Sequence, residues 1–204
     1  GQIHTNNFLR AMLHKEVGLR RGKNTISHCY FHSVEGYDRI FFLADAAFNM
    51  YPDLAAKADI TQNTVDLARA FGVAEPKVAV LAAVEVVNPD MPATLDAAAL
   101  TQMNRRGQIK NGVVDGPFAL DNALSEESAK TKGIVSPVAG KADVFITPNI
   151  DSGNMLAKAI VYCSKNETAG LILGAAAPIV LTSRADSARA KLLSVIGSLH
   201  NTHL

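Results

Sequence analysis

Apolar positions along this chain follow two rhythms that alternate. Between Asp53 and Gly72, the residues Leu54, Ala58, Ile60, Val65, Leu67, Ala68 and Phe71 supply a helical stripe, with Asp53 placed to cap it and Gly72 to stop it. Next, Lys77 to Ala83 (KVAVLAA) is a short continuous apolar run, which predicts a strand buried on both faces. The succession then repeats. Thr94 is placed to cap a helix to about Arg106, Ile109 to Val114 reads as a strand, and Leu120 to Lys130 reads as a helix. Asp143 to Thr147 and Pro178 to Leu181 read as strands, Ser152 to Ser164 and Asp186 to Leu199 as helices. Ahead of these, Thr5 is placed to cap a helix to about Gly18, with Phe8, Leu9, Met12, Leu13 and Val17 at helical spacing. Ile26 to His32 and Ile40 to Ala44, separated by Glu35-Gly36-Tyr37-Asp38, read as a hairpin or adjacent strands. Strand and amphipathic helix alternate at least four times. The expected fold class is therefore α/β, a mostly parallel sheet covered by helices.

Composition agrees with that expectation. Hydrophobic residues make up 48% of the 204 residues and charged residues 19%, so the chain can bury a core without disulfides or metals. With aromatics at 6% and no Trp, aliphatic side chains must fill the interior. The net charge is +1, which offers no broad field for nucleic acid or membranes. The densest basic cluster, Arg20, Arg21 and Lys23, and the later pair Arg105 and Arg106 are not interleaved with aromatics. Cys29 and Cys163 are far apart, each within an apolar run; both read as small buried hydrophobes in a reducing compartment. The six histidines are isolated from one another and from both cysteines, so no metal site is expected. Leu171 to Leu181 is too short to span a bilayer. No signal-peptide pattern is present, and a cytoplasmic location is expected.

In open sheets of this kind, ligands bind where strands end, so the loops that follow strands carry the candidate chemistry. Asp115-Gly116-Pro117 is expected to follow a strand, its glycine allowing backbone amides close to a ligand; Asp115 could equally brace the turn. The loop Val135 to Lys141, which holds SPVAGK, reads as fixed and tightly packed. Pro148 to Asn154 feeds a helix N-terminus past Gly153 and suits an anion, with Lys158 one turn beyond Asn154. Thr182 to Ser187 holds Arg184 beside Ser183, a pairing that can grip a phosphate and donate to an oxyanion. Alternatively Ser183 or Asp186 only caps the last helix.

Together these loops, with HTNNFLRAML, GYDRIFFLADAAFNMYPDL, EPKVAVLAAVEVVNP, MPATLDAAAL, DGPFALDNA, KGIVSPVAGKADVFITP, SGNMLAK and APIVLTSRADS, resemble the phosphate acetyltransferase and butyryltransferase family, closest to its butyryl members. The resemblance runs across nearly the whole chain in family order. It implies an isocitrate/isopropylmalate dehydrogenase-like two-domain enzyme whose cleft joins coenzyme A and acyl phosphate, and it implies a homodimer. Family chains carry further sequence ahead of the point matching Gly1, so the resemblance implies an incomplete first domain, of which 1–23 and 175–204 remain, and a second domain over 24–174.

The same resemblance assigns site residues. Ser183 matches the serine that donates to the thioester oxyanion, and Arg184 the arginine that binds phosphate. Ser187-Ala188-Arg189-Ala190 lacks the carboxylate that acetyltransferase members place there as base, so Asp186 is the nearest candidate. Asp115, Gly116, Gly153, Asn154 and Lys158 are expected around the substrate, sharing one cavity with Ser183 and Arg184. The implied reaction is direct transfer of a short acyl group between coenzyme A, a substrate and not a bound cofactor, and phosphate. Two alternatives stay open: a non-catalytic homologue that binds coenzyme A, and a metal- and NAD(P)-dependent decarboxylating dehydrogenase of the same fold.

Overall fold

The computed structural model describes residues 5–14, 16, 18–20, 22 and 24–200; Val17, Arg21 and Lys23, named above, lie outside them. The order is α1 (Thr5–Met12), β1 (Ser27–Val34), β2 (Phe41–Ala44), α2 (Leu54–Ala70), β3 (Lys77–Leu81), α3 (Pro92–Arg105) and β4 (Val113–Phe118). Then come α4 (Leu120–Leu124), α5 (Glu126–Thr131), β5 (Val144–Ile146), α6 (Ile150–Cys163), β6 (Asn166–Leu173) and α7 (Ala188–His200).

The strands form one six-stranded sheet in the order β4-β3-β5-β2-β1-β6. It is mixed. β4, β3, β5 and β2 pair in parallel, whereas β1 pairs antiparallel with both β2 and β6. The expected hairpin supplies the first reversal: Cys29 lies opposite Ala44 and His32 opposite Phe41. The second comes from β6, which periodicity did not locate, because its polar start Asn166-Glu167-Thr168 conceals an eight-residue strand. Pro178 to Leu181, expected as a strand, makes only an isolated bridge from Ile179 to Ile172.

Side chains of the strands alternate between two cores, as the pleat requires. Phe42, Val78, Val80, Val144 and Ile146 face α2 and α3, meeting Ile60, Leu67 and Leu100. Phe41, Leu43, Ala79, Leu81 and Phe145 face α4, α5 and α6, meeting Ala123, Ala129 and Ala157. A smaller cluster joins Met12, Ile26, Ile172 and Ile179 under α1. α7 shields the outer edge of β6, where the Ser194 hydroxyl accepts the Gly170 N–H at 2.9 Å, covering an edge that would otherwise present unpaired donors.

Local signals placed α2 correctly. The Asp53 carboxylate accepts the Ala56 N–H at 2.8 Å, and Gly72 takes φ +92° just past the end. Elsewhere packing moved the boundaries. α3 begins at Pro92, whose fixed φ suits a first helical position, and Thr94 is not its cap: buried, its hydroxyl bonds back to the Asn88 and Met91 carbonyls. The expected helix over 120–130 is two helices, because Ser125 turns extended and caps the second through the Ser128 N–H. The fourth strand starts at Val113, so Asp115-Gly116-Pro117 lies inside β4 and not in a loop after it. Cys29 is buried as expected, but Cys163 is exposed at the last turn of α6.

Candidate active site

β3 leads through α3 to β4 on one side of the sheet, while β5 leads through α6 to β6 on the other. The exits of these neighbouring parallel strands are thus a topological switch point, where open α/β sheets hold ligands. A crevice of about 510 Å³ opens there, between Ala82, Met91 and Pro92 on the β3 side and Thr147, Asn149 and Ser152 on the β5 side. Leu120 and Leu156 also line it. α3 and α6 approach from opposite faces and both bring their N-termini to it, giving the rim a positive dipolar bias.

Each rim element has a local cause. α6 is capped by Asn149, whose side-chain oxygen accepts the Ser152 N–H at 3.0 Å. α3 opens on Met91 without a side-chain cap. At the flank, Glu85 accepts from Asn122 at 3.3 Å and lies 3.4 Å from the Lys132 ammonium, which also reaches Asp121 at 3.2 Å. The Ser128 hydroxyl and Lys132 together hold Asp121 below the usual carboxylate range.

The exit of β2 supplies the anchor of this region, one that sequence reasoning did not single out. Asp45, 2% exposed, accepts the N–H groups of His28, Ala47, Phe48 and Asn49 and the Asn49 side-chain amide, at 2.6 to 3.3 Å. The loop around Asp45 then receives α6. A Cβ on Gly153 would stand 2.5 Å from the Asp45 carbonyl oxygen and 2.7 Å from the Thr147 hydroxyl, and Asn154 donates to the Ala46 carbonyl at 3.0 Å. Gly153 and Asn154 therefore lock α6 to β2. Only the partners, a hundred residues away, reveal this role.

Gly116 has a similar explanation: a Cβ there would meet the Val80 carbonyl oxygen at 2.8 Å and Ala97 at 3.3 Å. It lets β4 pass close to β3 and α3. Asp115 accepts the Ser136 hydroxyl, tying β4 to the SPVAGKA loop. Lys158 is half-buried along α6.

The turn with Ser183, Arg184 and Asp186 lies elsewhere. Asp186 accepts the Ser183 N–H at 2.7 Å, and Arg184 is exposed. Asp186 lies near His28 and Tyr30 of β1; burial, and then the Asp186 charge, push the Tyr30 phenol up to about 12. Asp186 and Ser187 line a second cavity of about 480 Å³, with Tyr162, Glu167 and Arg189. Neither Ser183 nor Arg184 lines the crevice, and β5 and β2 intervene.

Residues 1–197 match the family described as phosphate acetyl/butaryl transferase. The chain belongs to that family. It is 54% identical over 195 residues to a phosphate butyryltransferase of Clostridium acetobutylicum, covering 96% of this chain and 64% of that protein. It is 48% identical over 194 residues to a phosphate acetyltransferase of Rhizobium meliloti, covering 95% and 61%. The chain thus spans somewhat less than two thirds of the length of these relatives. Among solved structures, a branched-chain phosphotransacylase from Enterococcus faecalis superimposes with a TM-score of 0.89 at 34% identity, over 100% of this chain and 72% of the other. Among the described residues, no three His, Cys, Asp or Glu side chains gather to hold a metal ion, and no helix is long and apolar enough to cross a membrane.

Proposed function

We propose that this protein transfers a short acyl group between coenzyme A and phosphate. Family membership along nearly the whole chain carries this reading, and the crevice at the switch point supports it. A phosphate oxygen attacks the thioester carbonyl carbon, the carbon–sulfur bond breaks, and coenzyme A leaves as a thiolate that takes up a proton. The reverse reaction needs that thiolate again, and a free thiol titrates near 8.5, so a base or a positive setting must supply it at neutral pH.

Ser183 is assigned as oxyanion donor, Arg184 as phosphate ligand and Asp186 as base, on the strength of the TSRADS motif. The finer architecture is part of the same proposal: 24–174 as one α/β domain, 1–23 and 175–204 as part of another, in an isocitrate dehydrogenase-like pair. Contacts between the two flanking segments support that division, since Arg20 bridges Ala175 and the Ala176 N–H donates to the Leu19 carbonyl at 2.8 Å. A homodimer and a cytoplasmic location complete the reading.

The test is thiol release from butyryl-CoA in the presence of phosphate. Turnover with sequential initial-rate patterns is expected; ping-pong patterns would contradict direct transfer. Arg184→Ala is expected to raise the phosphate requirement and to cut turnover roughly a hundredfold or more. Near wild-type kinetics in that variant removes the assignment of Arg184.

A further inference from the structure

α7 is inverted for a surface helix. It buries its small residues, Ala190, Ser194, Gly197 and Ser198, and a Cβ on Gly197 would stand 2.7 Å from the Phe31 ring. Its large aliphatic residues point the other way: Leu192, Val195 and Ile196 are 57, 49 and 43% exposed. Steps of three and four residues put them on one stripe, which Leu199 extends at 61% exposure. A helix normally turns such a stripe to a core, so this one marks a contact with something beyond the present sheet.

The segment that leads into α7 has the same character. Pro178-Ile179-Val180-Leu181 is the apolar, β-branched run of a strand buried on both faces. Only Ile179 bridges β6, its carbonyl accepting the Ile172 N–H at 3.0 Å, and Val180 and Leu181 belong to no ladder. A strand, a turn and a helix in that order are the first parts of a βαβ unit, whose crossover returns to a parallel strand of the same sheet. Among the described residues no parallel strand lies beside 178–181. The relatives carry material enough for such a layer. About a third of the C. acetobutylicum enzyme lies outside the match, and over a quarter of the E. faecalis phosphotransacylase lies outside the superposition.

We propose that 178–181 and the outer stripe of α7 are the docking surface for that further part of the family fold. It supplies a strand parallel to 178–181 and an apolar sheet face over Leu192, Val195 and Ile196. This surface rests on the domain division proposed above, to which it gives a contact, and not on the acyl-transfer chemistry. In the completed sheet the TSRADS turn follows a paired strand, and Ser183 and Arg184 stand at the kind of strand exit where α/β proteins bind ligands.

The test joins the unmatched third of the C. acetobutylicum enzyme to this chain, ahead of Gly1. Urea unfolding is then compared between chain and chimera, each with and without Leu192→Gln and, separately, Ile196→Gln. Glutamine keeps a good helix propensity, so in the chain alone, where both positions face water, the midpoint should not move. In the chimera each substitution removes a buried aliphatic contact, and the folding equilibrium constant should fall roughly thirty-fold or more. Equal effects in the two proteins, small or large, overturn the docking surface. A chain that dimerises alone and is split into monomers by Leu192→Gln gives the stripe to a second copy and overturns it as well. If the chimera does not fold, the same third is co-expressed as a separate tagged polypeptide. Retention of the chain that Leu192→Gln abolishes supports the proposal, and no retention, or retention that Leu192→Gln leaves unchanged, overturns it. Unfolding and retention are read here, and turnover is not, so acyl transfer stands or falls separately on thiol release.

Discussion

Two turns in this chain look alike as sequence and differ in what lies beneath them. Pro148 to Asn154 and Thr182 to Ser187 each carry hydroxyls or amides into a helix, and each is capped from within: Asn149 accepts from Ser152, and the Ser187 hydroxyl accepts from Ala190 at 3.1 Å. The first turn rests on Asp45, whose carboxylate oxygens are saturated by N–H donors. The second lies against the face of β1 that carries His28, Tyr30 and His32. There the Nδ1 of His28, both ring nitrogens of His32 and the hydroxyl of Thr168 have no hydrogen-bond partner. A saturated floor fixes what sits on it, while a floor with unmet polar groups carries a desolvation cost and no direction. The first turn lines the crevice, whereas Asp186 and Ser187 of the second line a different cavity.

The largest expected effect lies in the second floor. Burial, and then the neighbouring His28, push His32 down to about 4 from its ordinary 6.5, and burial also lowers His28. The unfolded chain binds protons more readily than the native one in that interval, so stability is full above pH 6.5 and is lost as pH falls toward 4. About 3 kcal/mol is expected from His32. Urea unfolding at pH 7.5 and pH 4.5 measures the loss, and His32→Phe, beside Phe41, should shrink it. An acid sensitivity identical to wild type in that variant would show the histidine floor to be irrelevant.

An intermediate effect is expected at Gly153. Gly153→Ala forces a methyl against the Asp45 carbonyl and the Thr147 hydroxyl, and a stability loss of roughly 1 to 3 kcal/mol should follow. Unfolding midpoints read it; no loss would mean that α6 is not clamped to the β2 exit. The smallest effects sharpen the comparison. Asn149→Ala and Ser187→Ala each remove one helix cap and should cost about 1 kcal/mol apiece. Similar values would confirm that the turns are locally equivalent and differ only in their floors; a much larger loss for one would place the difference in the caps themselves.

Much of the fold was legible in advance. Asp53, Gly72 and the stripe between them specify α2 through contacts within a few residues, and KVAVLAA specifies a strand by its unbroken apolar run. The candidate site was less legible. The Pro148–Asn154 turn was found because a glycine-containing turn before a helix is a local signal, but Asp45 was passed over, since one carboxylate at a strand end looks like any other polar residue. Asp115 and Gly116 were read as loop residues because the apolar run ended at Val114, whereas β4 continues through Asp115, Gly116 and Pro117.

The chain by itself determined its family, its alternation of strand and helix, and its hairpin, because each is written in neighbouring residues or in motif order. Only the tertiary structure decided that Gly153 and Gly116 are hemmed in by backbone from other strands and that β6 joins the sheet antiparallel. The reason is distance. Those properties depend on which backbone atoms meet across the sheet, as Gly153 meets Asp45, and no local pattern records a partner a hundred positions away.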